Sequence, residues 1–241
     1  MISPMATLML VHGGWGGGWE WRQVAERLAA RGHRVHRPTL TGLGERQHLG
    51  RPDTDLQSHI ADVIAVCDYE DLDRIVLVGQ SYGGAVVTGV ADAMPERIVQ
   101  LVYLDAFVPV DGQSVMDLTP AALAERLRQL ARDEGDGWRV PIWFTADDMG
   151  YPPEVAEWYV PKLCPHPLAT LEQRIRLTGA VDRLARTYVR CGREEQSIFT
   201  PFAERARAEG WRYAEIPVGH DAHVIAPDEV VSLLDRIATA D

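Results

Sequence analysis

The sequence has few cysteines, few basic residues and no long apolar run. Its 241 residues include only Cys67, Cys164 and Cys191, without a C-x-x-C pair, so neither a disulfide framework nor a structural zinc site is expected. No window approaches the length of a membrane span, and no basic segment leads into a long apolar stretch near the first residue. We therefore expect a cytoplasmic protein without a membrane partner.

Basic residues are also less frequent than acidic residues. Acidic residues outnumber basic residues by 35 to 24, and the formal net charge is −11. Such a chain repels phosphate backbones and anionic lipid, which argues against nucleic acid or a membrane surface as a partner. The expected partner is a small molecule, and the sequence leaves the oligomeric state open between a monomer and a homodimer.

Short apolar runs alternate with helical patterns along most of the chain. The patterns predict strands at residues 7–11, 33–37, 74–78, 98–104, 186–190 and 211–216, with helices between them. Strands that alternate with helices predict an α/β fold with a mostly parallel sheet covered by helices on both faces.

Residues 111–180, called the insertion below, break this alternation. The insertion contains seven prolines and six tryptophan, tyrosine and phenylalanine residues. We predict a cap over an active site, inserted into a core made of residues 1–110 and 181–241. The alternative is a surface excursion packed by its own aromatic side chains.

The hexapeptide 79–84, G-Q-S-Y-G-G, lies directly after an apolar strand and directly before a helix. G-x-S-x-G in this setting is typical of a nucleophile elbow, in which a sharp turn presents the serine above the sheet. We predict that Ser81 is the nucleophile and that the backbone N–H of Tyr82 donates to an oxyanion.

A glycine-rich segment, V-H-G-G-W-G-G-G, follows the first strand at residues 11–18. In a fold with a serine elbow this loop supplies the second oxyanion donor, and Gly14 is the candidate. A phosphate-binding loop is the alternative, but the segment lacks the lysine of a P-loop and the spacing of a dinucleotide fingerprint. We expect His12 to fix the loop by hydrogen bonds and not to take part in catalysis.

The serine needs a base, which is expected late in the chain. The segment 219–223, G-H-D-A-H, follows the last predicted strand and precedes the last helix. His220 is placed where this loop would reach back over the sheet. His223 is expected to be a pocket or packing residue.

Three segments together resemble a known family. V-H-G-G-W-G-G-G-W-E-W, G-Q-S-Y-G-G and G-H-D-A-H-V-I-A-P resemble the branch of α/β-hydrolases that contains plant hydroxynitrile lyases and salicylate methylesterase-like enzymes. The resemblance implies the roles given above for Ser81, His220, Gly14 and Tyr82. Hydroxynitrile lyases of one type carry a lysine after the catalytic histidine and a threonine near the His-Gly turn. Here these positions hold Asp221 and a glycine, which favours an esterase.

The acid that orients the histidine is the open position. The resemblance implies an aspartate after the strand at 186–191, but the sequence there has only Glu194 and Glu195. Asp105 follows the apolar strand 98–104, and a buried carboxylate at a strand end needs a partner such as a histidine. We favour Asp105 over the two glutamates. The alternative for Asp105 is a loop carboxylate bonded to nearby amides, and the alternative for Glu194 and Glu195 is a solvated surface pair.

These residues predict a serine hydrolase that cleaves a carboxylic ester or related acyl bond of a small, partly apolar substrate through an acyl-enzyme. This chemistry needs no metal and no organic cofactor. Two alternatives stay open at this point: a hydroxynitrile lyase-type or other proton-transfer enzyme on the same triad, and a non-catalytic small-molecule binder of the same fold.

Overall fold

A computed structural model of the chain describes residues 6–192 and 197–240. The main sheet contains six parallel strands, and the insertion holds two further short strands. The strands are β1 (Thr7–Val11), β2 (Arg34–His36), β3 (Ile75–Gln80), β4 (Ile98–Leu104), β5 (Arg139–Val140), β6 (His166–Pro167), β7 (Arg186–Cys191) and β8 (Arg212–Ile216). The six strands predicted from the apolar runs are therefore confirmed, with ends that shift by at most two residues.

The helices fall between the strands, as the α/β alternation predicts. They are α1 (Arg22–Ala30), α2 (Leu56–Tyr69), α3 (Gly83–Ala93), α4 (Val115–Leu118), α5 (Ala121–Glu134), α6 (Pro153–Tyr159), α7 (Leu168–Glu172), α8 (Thr200–Ala208), α9 (Ala222–Ile225) and α10 (Pro227–Thr239). None of the helices in the described ranges is long and apolar enough to cross a bilayer.

The strands are apolar on both sides because both faces of the sheet are covered. Along β3 all six residues are buried. Leu77 packs into the core on the face that holds α2, α3 and α8, and its neighbours Val76 and Val78 pack on the face that holds α1 and α10. This two-sided burial explains why the strands appear as continuous apolar runs instead of alternating ones.

The strand order places the loops that carry the predicted site at one edge of the sheet. The order is β2-β1-β3-β4-β7-β8, so the chain runs from β1 to one side and then returns to the other side with β3. Crevices at the carboxyl ends of strands, next to such a reversal, are the usual ligand sites of parallel sheets. The loops after β1, β3, β4 and β8 meet at this edge.

The insertion lies between β4 and β7. It contributes α4 to α7 and the antiparallel pair β5–β6, in which Val140 is opposite His166. Within the described residues, neither of its strands joins the main sheet.

Candidate active site

The turn after β3 has the backbone geometry of a nucleophile elbow. Ser81 adopts φ 53°, a left-handed conformation that is strained for a residue with a side chain. A Cβ atom on Gly79 would lie 2.5 Å from Val87 Cγ2 and 2.6 Å from the Gly83 oxygen, so strand and helix approach too closely for any other residue there. The turn therefore needs a glycine two positions before the serine.

Hydrogen bonds to the neighbouring strand end hold this strained turn. The backbone N–H of Ser81 donates to the carbonyl oxygen of Leu104 at 3.3 Å, and the backbone carbonyl oxygen of Ser81 accepts from the Phe107 N–H at 3.1 Å. The helix α3 begins two residues after Ser81, so the serine lies near the positive end of the helix dipole.

The structure brings His220 and Asp105 together. Nδ1 of His220 donates to Oδ2 of Asp105 at 2.7 Å, and Oδ1 of Asp105 accepts from the Cys191 N–H at 3.2 Å. Asp105 follows β4 with φ 43°, another left-handed residue at this edge. The Asp105 side chain is 2% exposed and the His220 side chain 21%, so the carboxylate is sealed while the imidazole reaches solvent.

The His220 ring is fixed from a second direction by Phe199, which lies just before α8. The two rings are stacked with centroids 4.6 Å apart and an angle of 7° between their planes. Burial lowers the pKa of His220, but the hydrogen bond to Asp105 and the charges of Asp221, Asp105 and Glu20 outweigh it. The net pKa of His220 therefore lies above the ordinary histidine value.

A second carboxylate lies beside this histidine. The amide nitrogen of Gln80 is 3.2 Å from Nε2 of His220 and donates to Oδ1 of Asp221, also at 3.2 Å. The other oxygen of Asp221 accepts a short hydrogen bond from the phenol of Tyr151, which belongs to the insertion. Gln80, Asp221 and Tyr151 are all buried.

The loop after β1 lies against the elbow. A Cβ atom on Gly13 would come within 3.1 Å of Ser81 Cβ, and one on Gly14 within 3.9 Å of Tyr82 Cβ. The two residues predicted to supply oxyanion donors, Gly14 and Tyr82, are therefore neighbours in space.

Residues of the insertion bind Trp15, the residue that follows Gly14 in the loop after β1. Trp15 has φ 62°, and its N–H donates to Nδ1 of His166 at 3.3 Å. The Trp15 oxygen accepts from the Cys164 N–H at 2.9 Å, and its indole nitrogen donates to the Val140 oxygen at 3.0 Å. Residues of the insertion therefore bind both the backbone and the side chain of Trp15.

Two buried histidines support the loop and the elbow without contacting Asp105. His12 donates from Nδ1 to the Gly13 oxygen at 2.8 Å and accepts from the Leu40 N–H at 3.0 Å, which is the structural role predicted for it. His59 accepts from the Tyr82 hydroxyl at 2.8 Å. Burial lowers the pKa of His59 to about 4, so the ring is neutral at pH 7.

His223 forms a different pair. Its Nε2 lies 3.3 Å from Oε1 of Glu20, and its ring packs on Trp21 with centroids 4.4 Å apart. Glu20 also accepts from the Tyr159 hydroxyl at 3.0 Å and from the Gly13 N–H at 3.4 Å. This carboxylate joins the first loop, the insertion and the loop after β8.

Most of the predicted site residues lie at one edge of the sheet: Ser81, Tyr82, Gly14, Asp105 and His220. Glu194 and Glu195, the alternative acids, lie outside the described residues.

The sequence patterns did not indicate a role at the site for Phe199 or Tyr151. A weak signal existed for Glu20, a carboxylate between two tryptophans in a segment without other charges.

A parallel sheet that carries a serine elbow and an aspartate-paired histidine at its carboxyl edge is the architecture of the α/β hydrolases. The family model described as "Alpha/beta hydrolase family" matches residues 8–233, and the chain belongs to this family. It is an ester-cleaving hydrolase, in line with the esterases among its relatives.

Three similar proteins define its position within the family. The carbendazim hydrolyzing esterase of Nocardioides sp. (strain SG-4G) is 39% identical over 240 residues, which cover 95% of this chain and 98% of that protein. The pyrethroid hydrolase of Sphingobium wenxiniae is 33% identical over 111 residues, which cover 45% of this chain and 38% of that protein.

Among solved structures, an extracellular alpha/beta-hydrolase from a Paenibacillus species is similar, with 25% identity and a TM-score of 0.87. The match covers 99% of this chain and all of that one. That protein is described as sharing structural and functional homology with tobacco salicylic acid binding protein 2. The resemblance to the salicylate methylesterase-like branch is thereby confirmed.

Proposed function

We propose that this enzyme cleaves small carboxylic esters through an acyl-enzyme, with Ser81 as nucleophile, His220 as base and Asp105 as the acid of the triad. The observation that carries this proposal is the 2.7 Å hydrogen bond from His220 Nδ1 to Asp105, next to an elbow serine with φ 53°. Because Asp105 accepts the Nδ1 proton, Nε2 carries the lone pair that a base needs.

The reaction then proceeds in two acyl transfers. His220 Nε2 takes the proton of Ser81 Oγ while Oγ attacks the ester carbonyl, and the same proton passes to the leaving alcohol as the C–O bond breaks. His220 next deprotonates a water molecule that attacks the acyl-enzyme, and its proton returns to Ser81 as the acid leaves. Asp105 orients the imidazole and stabilises its charged form.

The N–H groups of Gly14 and Tyr82 bind the oxyanion of each tetrahedral intermediate. Support comes from the proximity of the two residues and from the supports behind them, which are His59 on the Tyr82 hydroxyl and His166 on the Trp15 N–H. Donors that are fixed before the reaction stabilise developing charge most effectively.

The insertion, residues 111–180, acts as the cap of this site, and residues 1–110 and 181–241 form the core. Trp143 and Phe144 of the insertion lie 6.2 Å and 6.0 Å from Trp15, centroid to centroid, in edge-to-face contacts. Aromatic side chains beside the oxyanion loop suit a substrate with an aromatic or apolar part. Given the similar esterase, carbendazim is the first substrate to test.

A fluorophosphonate probe tests the nucleophile directly, because it reacts with activated serines whatever the substrate. Wild-type protein should be labelled on Ser81, and a chromogenic ester should give a burst of alcohol. Both signals should be absent in Ser81→Ala. Labelling or turnover that survives this substitution contradicts the proposal, and a pure binder need not label at all.

Lyase chemistry has less support in the structure. The carboxylate of Asp221 occupies the position after the histidine, where the lyases of one type carry a lysine that helps to hold cyanide. Asp221 lies within 3.2 Å of the Gln80 amide at the site, and a negative charge there repels an anion. Cleavage of a cyanohydrin at a rate comparable with ester hydrolysis would reverse this conclusion.

We also propose that the enzyme acts in the cytoplasm on a small molecule, as a monomer or a homodimer. Cys67, Cys164 and Cys191 are all free and buried, which is typical of proteins from reducing compartments. Cell fractionation tests the location, and sedimentation of the purified protein tests the oligomeric state.

A further inference from the structure

The base of the proposed triad has a competing partner in the structure. Nε2 of His220, the atom that must accept the Ser81 proton, lies 3.2 Å from the amide nitrogen of Gln80. Because Nδ1 donates to Asp105, Nε2 is an acceptor, and the Gln80 amide donates one hydrogen to it. The Gln80 side chain is 1% exposed, so the bond is not weakened by exchange with solvent.

The other hydrogen of the same amide is bound by Asp221. The distance from the Gln80 amide nitrogen to Asp221 Oδ1 is 3.2 Å. A carboxylate accepts only, so it determines which end of the amide faces His220 and leaves the amide oxygen towards Gly13. The carbonyl oxygen of His220, 3.5 Å from the same nitrogen, favours the same amide orientation.

We propose that Asp221 is a positioning residue for the catalytic histidine, which holds the Gln80 amide against His220 Nε2 in the resting enzyme and takes that amide over when His220 becomes protonated. A protonated Nε2 and the Gln80 amide would be two donors facing each other. Rotation of the amide towards the Asp221 carboxylate and the carbonyl oxygen of His220, which lies 3.5 Å from the same nitrogen, removes this conflict and keeps an acceptor for each amide hydrogen.

The insertion contributes to the same arrangement. The phenol of Tyr151 donates to the second oxygen of Asp221, which orients the carboxylate plane. Tyr151 belongs to the insertion, and Gln80 directly precedes Ser81 in the elbow. Asp221 therefore connects the insertion to the base through one carboxylate and one amide.

Three carboxylates face His220 from different parts of the fold: Asp105 after β4, Asp221 on its own loop and Glu20 on the first loop. All three raise the pKa of His220 against the opposite effect of burial. The inference rests on the proposed function, since it assigns a role relative to the base, but the ionisation of His220 can be measured without turnover.

The experiment compares variants on the two sides of the amide. The pKa of His220 is measured by NMR of the imidazole in wild type, Asp221→Asn and Gln80→Met, and the acid limb of kcat/KM is followed in parallel. Asp221→Asn removes a negative charge, so the His220 pKa and the acid limb should move to lower pH. Gln80→Met removes a donor that favours neutral His220, so both should move to higher pH.

The same hydrogen bonds predict how kcat should change in these variants. Asp221→Asn should lower kcat about ten- to a hundredfold with little change in KM, because a hydrogen bond to a charged group is lost at the base. In the Gln80→Met background, Asp221→Asn should have little further effect on kcat but should still lower the His220 pKa.

Matched controls separate positioning from general destabilisation. Asp92→Asn removes another buried carboxylate, which accepts from the Thr178 and Val181 N–H groups near the far end of α3, and should lower the Tm without moving the acid limb. Tyr151→Phe should have no further effect in the Asp221→Asn background, because the two residues share one hydrogen bond. Tyr213→Phe removes a phenol bonded to Glu215, and its effect should add to that of Asp221→Asn.

Unchanged His220 pKa values in both Asp221→Asn and Gln80→Met, or an equal shift in Asp92→Asn, would overturn the inference. If Asp221→Asn does not fold, the upward shift expected for Gln80→Met decides alone. Turnover by Ser81→Ala would refute the proposed function instead, and the NMR titration would still report on Asp221.

Discussion

His220 lies on the loop after β8 and His223 lies three residues further on, in α9, and each faces a buried carboxylate, yet the two pairs have different surroundings. His220 keeps 21% of its side chain exposed and donates to Asp105 at 2.7 Å. His223 is completely buried, and its Nε2 lies 3.3 Å from Glu20 without the alignment of a hydrogen bond. Both pairs join a histidine to a buried carboxylate, an aspartate in one case and a glutamate in the other, so solvent access and hydrogen-bond alignment are the main differences between them.

The difference shows which properties a reactive pair needs at this edge of the sheet. Asp105 directly follows a strand end, and Phe199 stacks on the ring of His220. Glu20 instead joins three separate segments through His223, Tyr159 and Gly13. We therefore expect Asp105–His220 to determine the rate of the reaction and Glu20–His223 to determine the stability of the loops around it.

The largest contrast is expected from the two histidines themselves. His220→Gln removes the proposed base and should lower kcat about 10⁶-fold, whereas His223→Gln should keep kcat within about tenfold of wild type and lower the Tm. Hydrolysis of a chromogenic ester and thermal unfolding measure the two effects. Equal losses of kcat in two folded variants would remove the distinction between the pairs.

The two carboxylates should show the same division. Asp105→Asn leaves His220 without the acceptor that fixes its tautomer and should lower kcat about 10⁴-fold. Glu20→Gln should affect kcat far less and should reduce the free energy of unfolding by about 3 kcal/mol, because it leaves His223 without its charged partner. Urea unfolding supplies the second value.

Near-normal turnover by Asp105→Asn would show that Asp105 is not the acid. Glu194→Gln and Glu195→Gln would then be the next variants to assay, since these were the alternatives.

Acid titration of stability should separate Glu20 from the site. Burial raises the pKa of Glu20, but the close approach of His223, with smaller contributions from His12 and the Tyr159 hydroxyl, outweighs it and holds the pKa below the ordinary glutamate value. The unfolded chain therefore binds more protons than the folded one below about pH 4.3, and the stability from this group is present above that pH and lost as pH falls. Urea midpoints measured from pH 7 to pH 3 should fall less steeply in Glu20→Gln than in wild type, and parallel curves would contradict this assignment.

The smallest effect is expected from the rings that pack on the two histidines. Phe199→Leu removes the stack on His220 and should lower kcat about two- to tenfold, the equivalent of one aromatic contact. Trp21→Phe, which keeps an aromatic ring beside His223, should change the Tm and leave kcat unaffected. A larger kcat effect for Trp21→Phe would indicate that the sealed pair also acts on the reaction.

The sheet could be predicted because burial on both faces leaves continuous apolar runs in the sequence. β3 and β4 are such runs, and each is followed directly by a residue of the candidate site, Ser81 after β3 and Asp105 after β4. The glycines around Ser81 are equally informative, since the close approach of β3 and α3 excludes larger residues at Gly79. Local sequence contains the whole signal in these cases.

The contacts around the base could not be predicted from the sequence in the same way. Gln80 and Asp221 are 141 positions apart, and Tyr151 and Asp221 are 70 positions apart. Patterns of polarity locate elements, but they do not report the rotation of a strand end or the path of an insertion with seven prolines. The choice between Asp105 and the two glutamates depended on this missing information.

The bonds between the insertion and Trp15 have a consequence for protein engineering. Exchanging caps between related enzymes is an attractive route to new substrates, and it assumes that the cap and the catalytic core are independent modules. Here the N–H, the oxygen and the indole nitrogen of Trp15 are bound by His166, Cys164 and Val140. A transplanted cap would therefore need its own equivalents of these three contacts, or the chimaera would lose the shape of its glycine-rich loop together with the old specificity.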